Sequence, residues 1–131
     1  MILVLDDNRD DLEILSHYFK KQGITDFKIF TDYKAFLKAI NEEVIIVIID
    51  HHLGSIKTGL GVMKEVVDLN PICYPIIVSG NNNPKIILEY LNSDAFRYVL
   101  KNDKHYLDTV ITFIRQAKER IDKVTQYLKN G

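Results

Sequence analysis

The sequence predicts an α/β fold, a single parallel sheet covered by helices on both faces. Three observations carry that reading. Short runs of β-branched and aromatic residues recur along the chain, and the strongest of them lack apolar/polar alternation, as strands buried on both faces do. Stretches with helical spacing of apolar residues lie between them. Helix start and stop signals fall where the two patterns meet.

The elements follow in order. Ile2-Leu3-Val4-Leu5 is the first strand. Leu12, Leu15 and Phe19, with Ile14 and Tyr18 beside them, mark a first helix closed by Gly23. Asp7 or Asn8 is placed to cap it, and Asp10 and Asp11 fall in its first turn, where the helix dipole favours negative charge. Phe27–Phe30 is a weaker strand, and Tyr33, Phe36, Leu37 and Ile40 form the second helical stripe. Val44–Ile49 is the third strand. Leu60, Met63, Val66 and Val67 form the next helix face, which Asn70-Pro71 ends. Ile76-Ile77-Val78 is the fourth strand. Asn83 caps the following helix, Pro84 is its first residue, and Ile87, Tyr90 and Leu91 are its stripe. Phe96–Leu100 is the last strand, and residues 104–129 carry a long final helical period.

Strand and helix thus alternate five times. That is a (βα)5 domain, and right-handed crossovers favour the flavodoxin-like three-layer sandwich with strand order 2-1-3-4-5.

Composition bounds the function. The 131 residues suit one domain, which at this size buries roughly 68% of its unfolded surface and needs no disulfide or structural metal. A net charge of −1 argues against a nucleic-acid binder working through a basic face. A single cysteine, Cys73, excludes a disulfide framework and a four-cysteine zinc site; placed before a strand, it reads as an inert core thiol. Val44–Ile49, the longest wholly aliphatic stretch, is far short of the ~20 apolar residues that span a bilayer. Asp6 and Asp7 come too early for a signal peptide, so the expected compartment is the cytoplasm. His51-His52 does not make a zinc site, because adjacent residues rarely point at one metal and no further His or Cys lies at ligand spacing.

In open α/β sheets ligands bind beyond the carboxyl ends of the strands. Strand one runs into Asp6-Asp7, strand three into Asp50, strand four into Ser79-Gly80 and strand five into Lys101. In the order 2-1-3-4-5 the first and third strands are neighbours, so three carboxylates share one crevice, flanked by a hydroxyl and an amine. Like charges ~4 Å apart repel by about 4 kcal/mol at an effective dielectric of 20. Such a cluster requires shifted pKa values or a cation, and hard, water-accessible oxygens select Mg2+, with Mn2+ as the alternative. A bound divalent ion draws in a phosphoryl group, and a carboxylate can attack phosphorus to form an aspartyl phosphate.

With these residues in view, the sequence resembles a response-regulator receiver domain of two-component signalling over about residues 1–118. The resemblance rests on the order and spacing of Leu5-Asp6-Asp7, Ile48-Ile49-Asp50, Thr58-Gly59-Leu60, Val78-Ser79-Gly80 and Tyr98-Val99-Leu100-Lys101. It implies that Asp50 is the phosphoacceptor. Asp7 binds Mg2+ directly, Asp6 mainly through water, and the backbone carbonyl of His52 supplies a further ligand. Ser79 hydrogen-bonds the phosphoryl group after transfer. Lys101 pairs with Asp50 before transfer and with the phosphoryl oxygens afterwards. Tyr98 is the aromatic switch that turns inward with Ser79. Gly80 keeps space for phosphoryl oxygens, and Asn81 and the His52 side chain border the site and tune water access. The implied partner is a sensor histidine kinase or a phosphotransfer protein, and the implied output is a shift of the helix 4–strand 5–helix 5 face. Self-phosphorylation and self-dephosphorylation are then the only chemistry, with no external substrate turned over.

Two departures from the family pattern stand out. Gly54 occupies the place of the usual proline, and the Gly54–Thr58 stretch reads one residue longer than is common. Asn102 replaces the proline that normally follows the lysine, so a trans Lys101–Asn102 bond is expected. Two other readings compete. An aspartyl-phosphate phosphatase of the haloacid-dehalogenase type also attacks from a strand-end Asp, but expects a second Asp where His52 stands. A phosphorylation-independent docking pseudo-receiver would lack the acceptor, an acid or the lysine, and all are present.

Val110, Ile114, Ala117, Ile121, Val124 and Leu128 are spaced as a coiled-coil seam. The receiver unit therefore reads as 1–118, with 119–131 as an extension of the last helix that mediates homodimerisation or linkage to an output domain.

Overall fold

The computed structural model describes residues 1–54 and 57–130. Five strands and five helices alternate: β1 (Ile2–Leu5), α1 (Arg9–Lys21), β2 (Phe27–Phe30), α2 (Tyr33–Lys38), β3 (Ile46–Ile49), α3 (Gly59–Leu69), β4 (Tyr74–Ser79), α4 (Pro84–Leu91), β5 (Arg97–Leu100) and α5 (Tyr106–Asn130). The strands form one parallel sheet in the order β2-β1-β3-β4-β5. The α/β class, the alternation and the strand order are those expected from the sequence.

Period-2 side-chain alternation divides the core into two layers. Ile2, Val4, Ile46, Ile48, Ile76 and Val78 face α1 and α5, where Leu12, Leu15, Phe19, Val110, Ile111, Ile114 and Ala117 meet them. Leu3, Leu5, Val47, Ile49 and Ile77 face the other way, onto Phe36 of α2, Val62, Met63 and Val66 of α3, and Tyr90 of α4. Each β1 and β3 residue therefore needs an apolar side chain, which is why these runs do not alternate. The edge strands β2 and β5 are only partly buried. Cys73 lies buried in the second layer, and loss of hydration raises its thiol to about 11, so it is an unreactive core residue.

Local chemistry sets the helix ends. The side chain of Asn8, not Asp7, caps α1 by accepting from the Asp11 amide. Gly23 follows α1 at φ +79°. Asn83 caps α4, with Pro84 in the first turn. Asn70 ends α3, and its buried amide donates to the carbonyls of Asn41 and Val44, pinning the chain that enters β3. Several boundaries differ from the expected ones: β3 begins at Ile46 rather than Val44 and β5 at Arg97 rather than Phe96, and two others shift for visible reasons. β4 begins earlier, at Tyr74, because Pro75 needs no partner for a missing N–H and its carbonyl accepts from Phe96. α5 begins at Tyr106 rather than at 104, because residues 101–105 form a turn held by the Asp103 carboxylate on the His105 amide.

Gly54 takes φ +93°, a conformation the expected proline could not adopt. The reading of the Gly54–Thr58 stretch as longer than usual falls partly on residues 55 and 56, outside the described residues. The Lys101–Asn102 bond is trans, as expected.

α5 is about 37 Å long at 1.5 Å per residue. Its seam residues Val110, Ile114 and Ala117 are buried against the sheet, whereas Val124 and Leu128 farther along are exposed. The extension is not wholly without neighbours. Ile121, Val124, Thr125 and Leu128 form one wall of a groove whose other wall is Pro71, Ile72, Cys73 and Tyr74. No helix among the described residues is long and apolar enough to cross a membrane.

Candidate functional site

The carboxyl ends of β1, β3, β4 and β5 converge on one crevice. Parallel register sets Leu5 beside Ile49, so Asp6 and Asp50, each one residue farther on, emerge together. Carboxylate oxygens of Asp6, Asp7 and Asp50 lie within 4.8 Å of one another; Asp6 and Asp50 are buried and Asp7 is exposed. The backbone at both buried acids helps hold them. The Asn8 amide donates to Asp6 Oδ1 (2.9 Å) and the His51 amide donates to Asp50 Oδ1 (2.9 Å).

Burial above all, and then the charge of Asp6, push the Asp50 carboxyl up to about 7, against the opposing pull of Lys101. Three oxygens this close, with one carboxyl so resistant to ionisation, are a donor set in want of a cation. Hard carboxylate oxygens at an open edge suit Mg2+. Asp6, Asp7 and Asp50 are therefore placed so that together they could hold such an ion.

Lys101 Nζ reaches across the sheet end. It donates to Asp6 Oδ2 (2.5 Å) and to Asp11 Oδ2 (2.9 Å) and lies 3.8 Å from Asp50 Oδ1. The expected pairing with Asp50 is present as an ion pair but is the longest of the three. Asp6 and Asp11 take the two hydrogen bonds, Asp11 from the first turn of α1. These carboxylates hold the Lys101 ammonium above its usual range despite its burial.

On the other side, Ser79 is fully buried, and its Oγ accepts from the Asn81 amide (3.1 Å). A methyl group on Gly80 would meet nothing within 4 Å, so the space above that backbone is open. Tyr98 on β5 is half-buried and donates its hydroxyl to the Asn81 carbonyl (2.7 Å). The structure brings Asp6, Asp7, Asp50, Ser79, Gly80, Asn81 and Lys101 to one end of the sheet, with Tyr98 hydrogen-bonded to its rim. The His52 side chain is exposed, and its backbone pairs with Thr58 at the start of α3.

Three residues of the site escaped the sequence reading. Asp11 looked like a helix-dipole acid. Tyr90 looked like one member of an apolar stripe. In the sequence His51 stands out only as half of the His51-His52 pair. Its Nδ1 instead lies 2.6 Å from the Tyr90 hydroxyl. No local pattern announces these contacts, because each joins residues from separate elements.

The profile of the response regulator receiver domain matches residues 2–112. The chain belongs to the response regulator receiver domain family. It is thus a phosphoacceptor switch domain of two-component systems, regulatory in kind, and the phosphatase and pseudo-receiver readings are not favoured. Solved receiver domains share its fold. The receiver domain of NtrX from Brucella abortus superposes with a TM-score of 0.80 at 26% identity, over 91% of this chain and 98% of that one. The beryllofluoride-activated DrrB receiver domain gives 0.78 at 20% identity, over 90% and 96%. Against the DrrB response regulator of Thermotoga maritima the TM-score is 0.76 at 22% identity; the match covers 91% of this receiver domain but 52% of DrrB. No curated protein sequence matches the chain.

Proposed function

We propose that Asp50 is the phosphoacceptor of this receiver domain and that Asp6, Asp7, Asp50 and the backbone carbonyl of His52 hold the Mg2+ that transfer requires. The observation that carries this reading is the approach of the three carboxylates to within 4.8 Å, with Lys101 beside them. The donor is a phosphohistidine on a sensor kinase or a phosphotransfer protein. A carboxylate oxygen of Asp50 attacks phosphorus, the P–N bond breaks, and the electron pair leaves with the imidazole. Mg2+ supplies charge neutralisation at the phosphoryl oxygens and keeps the Asp50 carboxyl ionised at neutral pH.

The chain's own groups then respond. Lys101 shifts from Asp6 towards the new phosphoryl oxygens, with which an ammonium pairs more strongly than with one carboxylate. Ser79 exchanges the Asn81 amide for a phosphoryl oxygen, and Gly80 leaves room for the group to approach the backbone. Asn81 moves with Ser79, and Tyr98 loses its hydroxyl partner on Asn81 and turns inward. Asn81 and the exposed His52 ring govern the approach of water to the acyl phosphate. The face of α4, β5 and α5 then changes population. Residues 1–118 act as the switch, and 119–131 prolong α5 as a connection to a second copy or an output domain. The cytoplasm, where phosphohistidine donors are made, is the fitting compartment.

Incubation with acetyl phosphate tests the assignment. Mg2+-dependent, acid-stable but alkali-labile label should appear on the wild type and be absent from Asp50→Asn. Label that persists in Asp50→Asn would overturn it.

A further inference from the structure

Lys101 is held by a residue outside the acidic cluster. Its ammonium has three N–H donors. One goes to Asp6 at 2.5 Å and one to Asp11 at 2.9 Å, while Asp50 stands 3.8 Å away, beyond hydrogen-bond distance. Asp6 is one of the three acids close enough to share a cation, but Asp11 is not. Once a cation neutralises the cluster, Asp11 remains as the carboxylate that competes for the lysine. The competition is substantial because the Lys101 side chain is 18% exposed and that of Asp11 31%, so water screens the pair only in part. Asp10, one residue earlier in the same helical turn, makes no ion pair among the described residues.

We propose that Asp11 is a positioning residue for phosphoryl transfer: it tethers the Lys101 ammonium to the first turn of α1 and so opposes its movement onto the phosphoryl group at Asp50. The inference rests on the phosphoacceptor reading above. Its physical content is a charge competition. In the resting state Asp11 stabilises the lysine away from the acceptor. After transfer the lysine must loosen that contact, and the Asp11 carboxylate adds to the negative field that the phosphoryl group meets. Asp11 therefore biases the switch towards its unphosphorylated form and sets how much donor is required to turn it on.

The test uses the full chain and beryllofluoride as the phosphoryl mimic, titrated at saturating Mg2+ and followed by NMR. Asp11→Asn should tighten beryllofluoride binding about threefold, the scale of a partly exposed ion pair. The gain should shrink as salt is raised. Asp11→Glu should return binding towards wild type. Asp10→Asn removes the same helix-dipole charge without touching Lys101 and should leave binding unchanged. The side-chain amine resonance of Lys101, read without mimic or metal, should shift in Asp11→Asn and not in Asp10→Asn. Equal binding by wild type and Asp11→Asn, or an equal gain in Asp10→Asn, would overturn the role given to Asp11. A wild type that neither binds beryllofluoride nor takes label from acetyl phosphate would overturn the phosphoacceptor reading as well, so the two failures are distinct.

Discussion

His51 and Tyr90 tie the residue after the proposed acceptor to helix α4: Nδ1 and the phenolic oxygen lie 2.6 Å apart, and both side chains are buried. Burial, and then the neighbouring His52, lower the His51 pKa, and burial raises that of Tyr90. A neutral imidazole therefore meets an intact phenol, and the two share one hydrogen bond. The Tyr90 ring in turn lies 5.6 Å from that of Tyr98. A line of contacts thus runs from the end of β3 through α4 to Tyr98 on β5.

Tyr90→Phe keeps the ring but leaves His51 Nδ1 buried without a partner. It should cost about 1–3 kcal/mol. Urea unfolding of the single variants and of a Tyr90→Phe/His51→Phe pair checks this: the double variant should cost less than the sum of the two singles.

Gly59→Ala should destabilise the fold by about 1–3 kcal/mol, the cost of overpacking, although alanine is the better helix former. A Cβ there would stand 2.2 Å from the Asp50 carbonyl oxygen and 2.7 Å from the Tyr90 hydroxyl. That backbone cannot give way without moving Asp50. Thermal unfolding reads the loss, and Gly61→Ala, where the closest atom is the end of the Lys57 side chain at 3.4 Å, should be tolerated.

Stability of the metal-free chain should fall as pH rises from about 4 to about 7. Asp50 binds its proton more tightly folded than unfolded, since burial and Asp6 raise it from 3.8 to about 7. Its contribution is therefore complete below its unfolded pKa and is lost as pH climbs through the folded one. The expected loss is on the order of 2–3 kcal/mol. Urea midpoints in EDTA should show it, Mg2+ should reverse it, and Asp50→Asn should flatten the profile.

A chain cut after Lys118 should stay folded, because Val124, Tyr127 and Leu128 are 57%, 76% and 73% exposed and bury little within the molecule. The contact of Arg120 with the Phe96 ring, 4.9 Å to its centroid, sets a loss of about 1 kcal/mol. Sedimentation over a concentration series should show weak self-association of the full chain and none of the truncated one. A full chain that remains monomeric throughout would remove the dimerisation role from the extension.

The sequence by itself determined the layers, the strand order and the residues at the strand ends. Unbroken aliphatic runs such as Ile2–Leu5 and Ile46–Ile49 have one stable home, between two helical layers, and the last residue of such a strand must open onto the ligand-binding edge. Asp6, Asp50 and Ser79 are legible for that reason, and Lys101 because it directly follows the last strand of the same sheet. Tertiary structure decided which of these charges pair. Whether Lys101 meets Asp50 or Asp6 depends on differences of about an ångström between side chains from three strands and a helix. The Asp11 and Tyr90 contacts span 90 and 39 residues of chain. A periodic pattern reports which face of an element is apolar, but side-chain pairing across elements is set by packing, which no single segment encodes.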